Sequence, residues 1–199
     1  RAVGCRGPLR EPRPMKIPTP SPALDTPRLQ LRQWRDQDLS AFAALNADPE
    51  VMRHFPAPLS CAESDAIALR CQALIAERGW GGFWAVEERG SGAFVGMIGL
   101  HEPANLPCSP CVEVGWRLAR AHWGKGYATE GAAAALRFAF EVLELAEVVS
   151  FTSIHNTRSE AVMQRLGMRR DAATFMHPAL PAGHRLAEHC LYRMARPLP

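Results

Sequence analysis

Lysine is almost missing from this sequence: Lys16 and Lys125 are the only two among 23 basic residues. Five cations (Arg1, Arg6, Arg10, Arg13 and Lys16) crowd into the first sixteen residues against the single Glu11. From a total of +3, the rest of the chain therefore carries one net negative charge. A near-neutral domain lacks the basic footprint of a nucleic-acid binder, so no direct nucleic-acid partner is expected. No apolar run reaches the ~18 residues of a membrane span, and the Arg/Pro-rich start lacks the apolar centre of a signal peptide. A cytoplasmic protein without a membrane partner is expected.

A cysteine framework is also missing. The six cysteines (Cys5, Cys61, Cys71, Cys108, Cys111 and Cys190) lie at irregular spacings in a chain too large to need stapling, which points to a reducing compartment. Cys108-Ser-Pro-Cys111 is a lone CxxC with no second pair at zinc-ribbon spacing, so the default reading is a loop and no metal is expected.

What is present begins with proline. Residues 1–27 carry prolines at 8, 12, 14, 18, 20, 22 and 27, a composition that cannot bury enough surface to fold alone. Residues 1–24 are expected to be a disordered or extended lead-in, with Met15 a candidate start and residues 1–14 dispensable. Residues 25–199 are expected to form one domain.

"RLQLRQW" then alternates like a strand, and "DQDLSAFAALNA" has helical spacing after an acidic cap. "SCAE" at 60–63 is a capping box opening a helix to about Arg78, and "FWAVEER" with "GAFVGMIGLH" reads as a hairpin across Gly90-Ser91-Gly92. A strand at 112–119, a helix from Tyr127 to Leu143, a strand at 147–153 and a helix capped by Asn156 and ended by Gly167 follow. Two final strands, "RDAATFM" and "EHCLYRM", flank "HPALPAGH". The pattern is α/β (α+β), with no internal repeat.

"RAHWGKGYATEG", residues 120–131, sets two glycines and the domain's single lysine between a strand and an alanine-rich helix. Glycines let a backbone approach a ligand closely, and a helix's first turn presents unpaired N–H groups, so the turn has the form of an anion site. A Walker loop fails because Gly126 follows Lys125 and Tyr127 follows Gly126. A dinucleotide fingerprint lacks its third glycine where Thr129 stands, and "SFTS" offers no carboxylate for a ribose. The remaining possibility is a pyrophosphate in the turn, with a pantetheine arm along the preceding strand.

"VEVGWRLARAHWGKGYATEG" together with "NTRSEAVMQRLGM" resembles the GNAT acetyltransferase superfamily, in the branch containing the ribosomal-protein N-terminal acetyltransferases. The similarity spans roughly residues 25 to 195. It implies a single domain with a mixed central sheet whose fourth and fifth strands splay apart, flanked by helices, and Gly115 is well placed for the bulge that would splay them. It implies acetyl-CoA as cosubstrate, held by Leu118, Trp123, Gly124, Lys125, Gly126, Tyr127, Ala128, Thr129 and Asn156. Ala121 stands where the superfamily's phosphate motif has Gln or Arg, so the backbone cradle carries the contact. Ala128, Gly131, Ala132 and Ala135 would let the helix pack closely on the sheet.

Acetylating an amine needs a group to take its proton, because α-amines (pKa near ~8) and lysine amines (~10.4) are mainly protonated at neutral pH. Strand alternation puts Glu113, Gly115 and Arg117 on one face, toward the cleft. Glu113 matches the general base of the ribosomal-protein branch; the plain alternative is a solvated Glu paired with Arg117 or a cross-strand partner. His101 is the reserve base. The tyrosine that many GNAT enzymes use as acid is replaced by Met163, and Ser159 aligns with a serine given that role. Ser159 shares a helix face with Val162, Met163 and Leu166.

The resemblance thus implies an N-acetyltransferase acting by direct attack in a ternary complex on a primary amine, with a protein N-terminal α-amine as the first acceptor considered. Small-molecule amines and a non-catalytic acyl-CoA sensor stay open, as does a monomer or a homodimer. "PEVMRHFPAPLS" and "HPALPAGH" are the expected walls of the acceptor site.

Overall fold

In a computed structural model, which describes residues 23–197, eight strands form one sheet in the order β1-β2-β3-β4-β5-β6-β8-β7. The strands are β1 (Leu24–Asp25), β2 (Leu29–Arg32), β3 (Phe83–Glu88), β4 (Phe94–His101), β5 (Glu113–Leu118), β6 (Glu147–Ser153), β7 (Arg169–Met176) and β8 (Glu188–Ala195). The helices are α1 (Asp38–Ala47), α2 (Cys61–Arg78), α3 (Tyr127–Arg137) and α4 (Thr157–Arg165). Expectations for residues 1–22 lie outside the described residues.

Leu24–Asp25 is a strand at the boundary between the lead-in expected up to residue 24 and the domain expected from residue 25. It pairs with β2, and buried Thr26 donates to the Leu29 carbonyl (3.0 Å) and to Glu130 of α3 (2.6 Å). This added strand makes β5 and β6 the fourth and fifth strands of the sequence reading.

The Ser60 capping box forms on α2, and Gly79 closes that helix with φ +73°. On α1 the expected acidic cap is not found: Gln37 holds the cap position without a side-chain bond, while Asp38 turns inward. There it binds the Arg32 guanidinium (2.7 and 2.9 Å), which also reaches Glu87, so the carboxylate anchors α1 to β2 and β3. The helix expected to end at Leu143 is α3 continued by a π-helical turn, Phe138–Val142.

All pairings from β1 to β5 are antiparallel, but β5 and β6 run parallel and touch only at their starts. Glu113 pairs with Val149, whose N–H donates to Val112 (2.8 Å), and beyond this point the strands part. The expected splay is present, but Gly115 is not a bulge, since its register to β4 is unbroken (Gly99 opposite Gly115). Glycine is needed there for space: a Cβ would stand 2.9 Å from the Phe83 ring.

Alternation along β4 and β5 separates two faces. A Cβ on Gly131 of α3 would lie 2.4 Å from Ile98, and Ile98 is paired with Trp116, so Val114, Trp116 and Leu118 face α3. Met97, Gly99 and His101, paired with Arg117, Gly115 and Glu113, face the other way. No helix among the described residues is long and apolar enough to cross a membrane.

Candidate active site

The face carrying Glu113, Gly115 and Arg117 lines a cavity of about 390 Å³ that opens at the gap between β5 and β6. Across the gap β6 contributes Ser150, Phe151 and Thr152, and α4 contributes Ser159 and Met163. Both proline-rich loops form walls, through His54, Phe55 and Pro56 on one side and His177, Ala179 and Leu180 on the other. Arg185 ties them together by donating to the Arg53 carbonyl (3.1 Å).

Glu113 has no ion pair among the described residues, so the plain alternative of a Glu paired with Arg117 does not occur. Desolvation alone raises its pKa to about 8, because the charged carboxylate would lose water without gaining a partner. His101 lies directly across the strand pair from Glu113, and burial lowers its pKa. At neutral pH the two neighbours are a protonated carboxyl and an unprotonated imidazole.

The raised carboxyl has a consequence for stability. Folded Glu113 keeps its proton up to about pH 8, while the unfolded group releases it near 4.5, so folding takes up a proton between these values. Wild-type stability therefore falls as pH rises through that window and levels off above it. Glu113→Gln does not titrate, so thermal melts from about pH 5 to pH 8 are expected to shift by several degrees in favour of the variant. Parallel melting curves would mean an ordinary carboxyl in the folded chain.

The α4 cap places Ser159. Asn156 accepts from the Ser159 N–H (3.3 Å), and its amide donates to the Ser159 hydroxyl (3.1 Å) and to the Thr152 hydroxyl (2.9 Å). The Ser159 oxygen thus receives a hydrogen bond and keeps its own proton for the cavity. Both amide protons of Asn156 are spent on this arrangement, which orients the Ser159 hydroxyl.

In the glycine turn, Gly124 (φ +74°) and Gly126 (φ +80°) adopt the left-handed conformation that turns successive N–H groups outward. The Trp123 N–H bonds to the Arg120 carbonyl (3.1 Å) and the Glu130 N–H to the Gly126 carbonyl (3.0 Å). Between them, the N–H groups of Gly124, Lys125, Gly126, Tyr127, Ala128 and Thr129 have no acceptor among the described residues. A Cβ on Gly124 would meet nothing within 4 Å, so the approach is open. Unpaired donors at a helix start suit a pyrophosphate.

Two side chains of the turn are engaged with the domain. Tyr127 is 6% exposed, and its hydroxyl bonds to Glu88. The Trp123 indole donates to the Leu118 carbonyl (2.9 Å), leaving that oxygen one lone pair. Alternation and motif spacing do not reveal two further contacts. Arg28, just before β2, reaches Glu130 (2.6 Å) and donates to the Lys125 carbonyl (2.9 Å), bracing the turn across 97 residues. Arg158 of α4 lies 4.5 Å over the Trp123 ring, spanning the gap from its other bank. Cys108 and Cys111 lie outside the cavity, with their sulfurs 3.2 Å apart.

The family model of the acetyltransferase (GNAT) domain matches residues 28–169. The chain belongs to the GNAT acetyltransferase family. A relative from Aspergillus fumigatus, FsC-acetyl coenzyme A-N(2)-transacetylase, is 33% identical over 153 residues, covering 74% of this chain and 65% of that protein. The crystal structure of an acetyltransferase from Agrobacterium tumefaciens is 30% identical with a TM-score of 0.70, covering 94% of this chain and 99% of the other. RimL, a ribosomal L7/L12 alpha-N-protein acetyltransferase solved in complex with coenzyme A, shares the fold with a TM-score of 0.70 at 15% identity, over 87% of this chain and 98% of its own.

This GNAT protein is an acetyl-CoA-dependent N-acetyltransferase acting on amines. The open turn, its unpaired donors and the strand gap leading to the cavity fit that cosubstrate.

Proposed function

We propose that this acetyltransferase moves the acetyl group to a primary amine by direct attack within a ternary complex, with Glu113 taking the amine's proton and the Ser159 hydroxyl assisting the departing sulfur. The observation that carries this reading is one cavity at the β5–β6 gap holding a partnerless carboxyl of pKa about 8 and a hydroxyl with a free proton. Acetyl-CoA supplies the acetyl group as a thioester. The outward N–H groups of residues 124–129 bind its pyrophosphate, and Leu118 offers its remaining carbonyl lone pair to the pantetheine arm. Among the described residues no cysteine lines the cavity, which favours direct attack over an acetylated thiol.

An α-amine is the favoured acceptor. Its pKa near ~8 matches that of Glu113, so proton transfer is close to balanced, whereas a lysine amine near ~10.4 would hold its proton against this base. Protein and peptide N-termini satisfy this, as do small molecules whose α-amine neighbours an amide or ester carbonyl; the α-amine of a free amino acid is more basic. Initial-rate kinetics by thiol release are expected to give intersecting lines as acetyl-CoA and the amine are varied; parallel lines would require a covalent intermediate.

Ser159→Ala is expected to lower turnover on the order of tenfold to a thousandfold with the melting temperature barely changed, since the lost donor acts on charge that develops at the sulfur. Equal turnover by a stable Ala variant, measured where chemistry limits the rate, would remove Ser159 from the reaction.

A further inference from the structure

Arg117 is a cation built into the cavity wall without a counter-ion among the described residues. Its Nη1 donates to the Asn46 side-chain oxygen (2.6 Å), and its guanidinium lies 4.0 Å over the Phe55 ring. Asn46 is fully buried and donates to the equally buried Ser64 hydroxyl (2.8 Å). A chain of polar contacts from α2 through α1 to β5 thereby fixes the fork, yet it contains no carboxylate. The Arg117 Nε is buried without a partner.

No carboxylate among the described residues forms an ion pair with Arg117; Asp48, two residues beyond its partner Asn46, is engaged with Arg120 (3.5 Å). Burial lowers the Arg117 pKa to about 10, so the group remains cationic at neutral pH and bears the cost of an unpaired buried charge. The rest of the wall does not offset it. Glu113 is the only acidic lining residue and is protonated at neutral pH, while burial lowers the pKa of His54, His101, His177 and His189.

Arg117 is also on the wrong face to serve the cosubstrate's pyrophosphate, since α3 and its glycine turn pack on the opposite side of β5.

We propose that Arg117 receives a carboxylate on the acceptor, so that this enzyme acetylates amines that also carry an acid group rather than polyamines or other polycations. This rests on the cavity being the acceptor site. Nη2 makes no hydrogen bond among the described residues and, unlike Nε, is not buried from solvent, and a planar guanidinium matches a carboxylate in two-point geometry. Glu113 and Arg117 stand four residues apart on one strand, roughly 13 Å between Cα atoms, which suits an amine and an acid separated by several bonds. A polycation would instead meet a fixed positive charge with no carboxylate to receive it.

Two measurements test this. In a proton–nitrogen NMR spectrum of the arginine Nε–H groups, acetate added to coenzyme A-saturated enzyme at constant ionic strength is expected to shift the Arg117 signal saturably, while acetamide leaves it in place. Loss of the signal in Arg117→Met assigns it. Asn46→Asp supplies an internal carboxylate and is expected to abolish the response to acetate even if the Met variant does not fold. An Arg117 signal indifferent to acetate, or moved equally by acetamide, overturns the proposal. This readout needs no turnover, so it is separate from failure of the Glu113 assignment.

In the second measurement, dipeptides ending in a free carboxylate are compared with their carboxamides, which leaves the α-amine next to an amide in both, and longer peptides bearing Asp at the second position with those bearing Asn. The acid members are expected to lead by on the order of tenfold to a thousandfold in kcat/KM, in the dipeptide or the longer-peptide series according to the acceptor's source, with the lead lost in Asn46→Asp. Equal rates for acids and amides in both series, or spermidine as the fastest acceptor, contradict it.

Discussion

Replacing Glu113 with Gln is expected to lower turnover on the order of a hundredfold to ten-thousandfold while coenzyme A affinity stays within about twofold, the pattern of a lost proton acceptor. The substitution is nearly isosteric, and Glu113 makes no ion pair that its loss would break. The Leu118 carbonyl and the turn proposed to bind the cosubstrate lie at and beyond the far end of β5 from Glu113. The pH profile carries the sharper expectation. In the wild type, kcat rises through about pH 8 as Glu113 loses its proton. In the Gln variant that limb disappears, and what remains follows the amine alone. If His101 were the base, the limb would lie below the ordinary imidazole value of 6.5, because burial lowers its pKa. Wild-type turnover in the Gln variant across the whole pH range would transfer the role to His101 or solvent.

Replacing Gly126 with Val is expected to weaken coenzyme A binding by on the order of tenfold to a hundredfold. The position has φ +80°, where a β-branched residue is strained by about 1–3 kcal/mol, and relief of that strain turns the outward N–H groups away from a common point. Space is not the cause, because a Cβ there would approach only the Arg28 guanidinium, at 3.4 Å. Gly126→Ala tests the distinction, with a weaker effect in the same direction. Calorimetry on a variant shown by its melting curve to be folded makes the measurement. Unchanged affinity would mean that the pyrophosphate is held elsewhere.

The local grammar of the chain was readable without coordinates wherever one element decides the outcome. The Ser60 capping box, the alternation that turns Glu113 toward the cavity and the glycine turn ahead of α3 each depend on a few neighbouring residues. The cap that aims Ser159 is equally local. What escaped depends on partners far away in sequence. Leu24–Asp25 lies at the end of a proline-rich stretch and is a strand only because β2 and Glu130 receive it. Asp38 has the look of a helix cap, but the buried Arg32 competes for the same carboxylate and wins, because an ion pair out of water needs both partners. Gly115 carries the signature of a bulge, whereas its reason is a ring from β3. Arg117 was placed on the correct face, but its partner Asn46 is 71 residues away, so alternation could not show that the cation lacks a carboxylate.

The proposed chemistry depends on the proton of Glu113. Carbon-13 labelling of the glutamate carboxyls, with Glu113→Gln to assign the signal, lets the titration of this group be followed directly by NMR in the folded, coenzyme A-bound enzyme. A midpoint near pH 8 is expected, coinciding with the rising limb of kcat. A midpoint in the ordinary carboxylate range near 4.5 would leave Glu113 charged throughout and contradict both its partnerless burial and its assignment as the group that takes the proton from the amine.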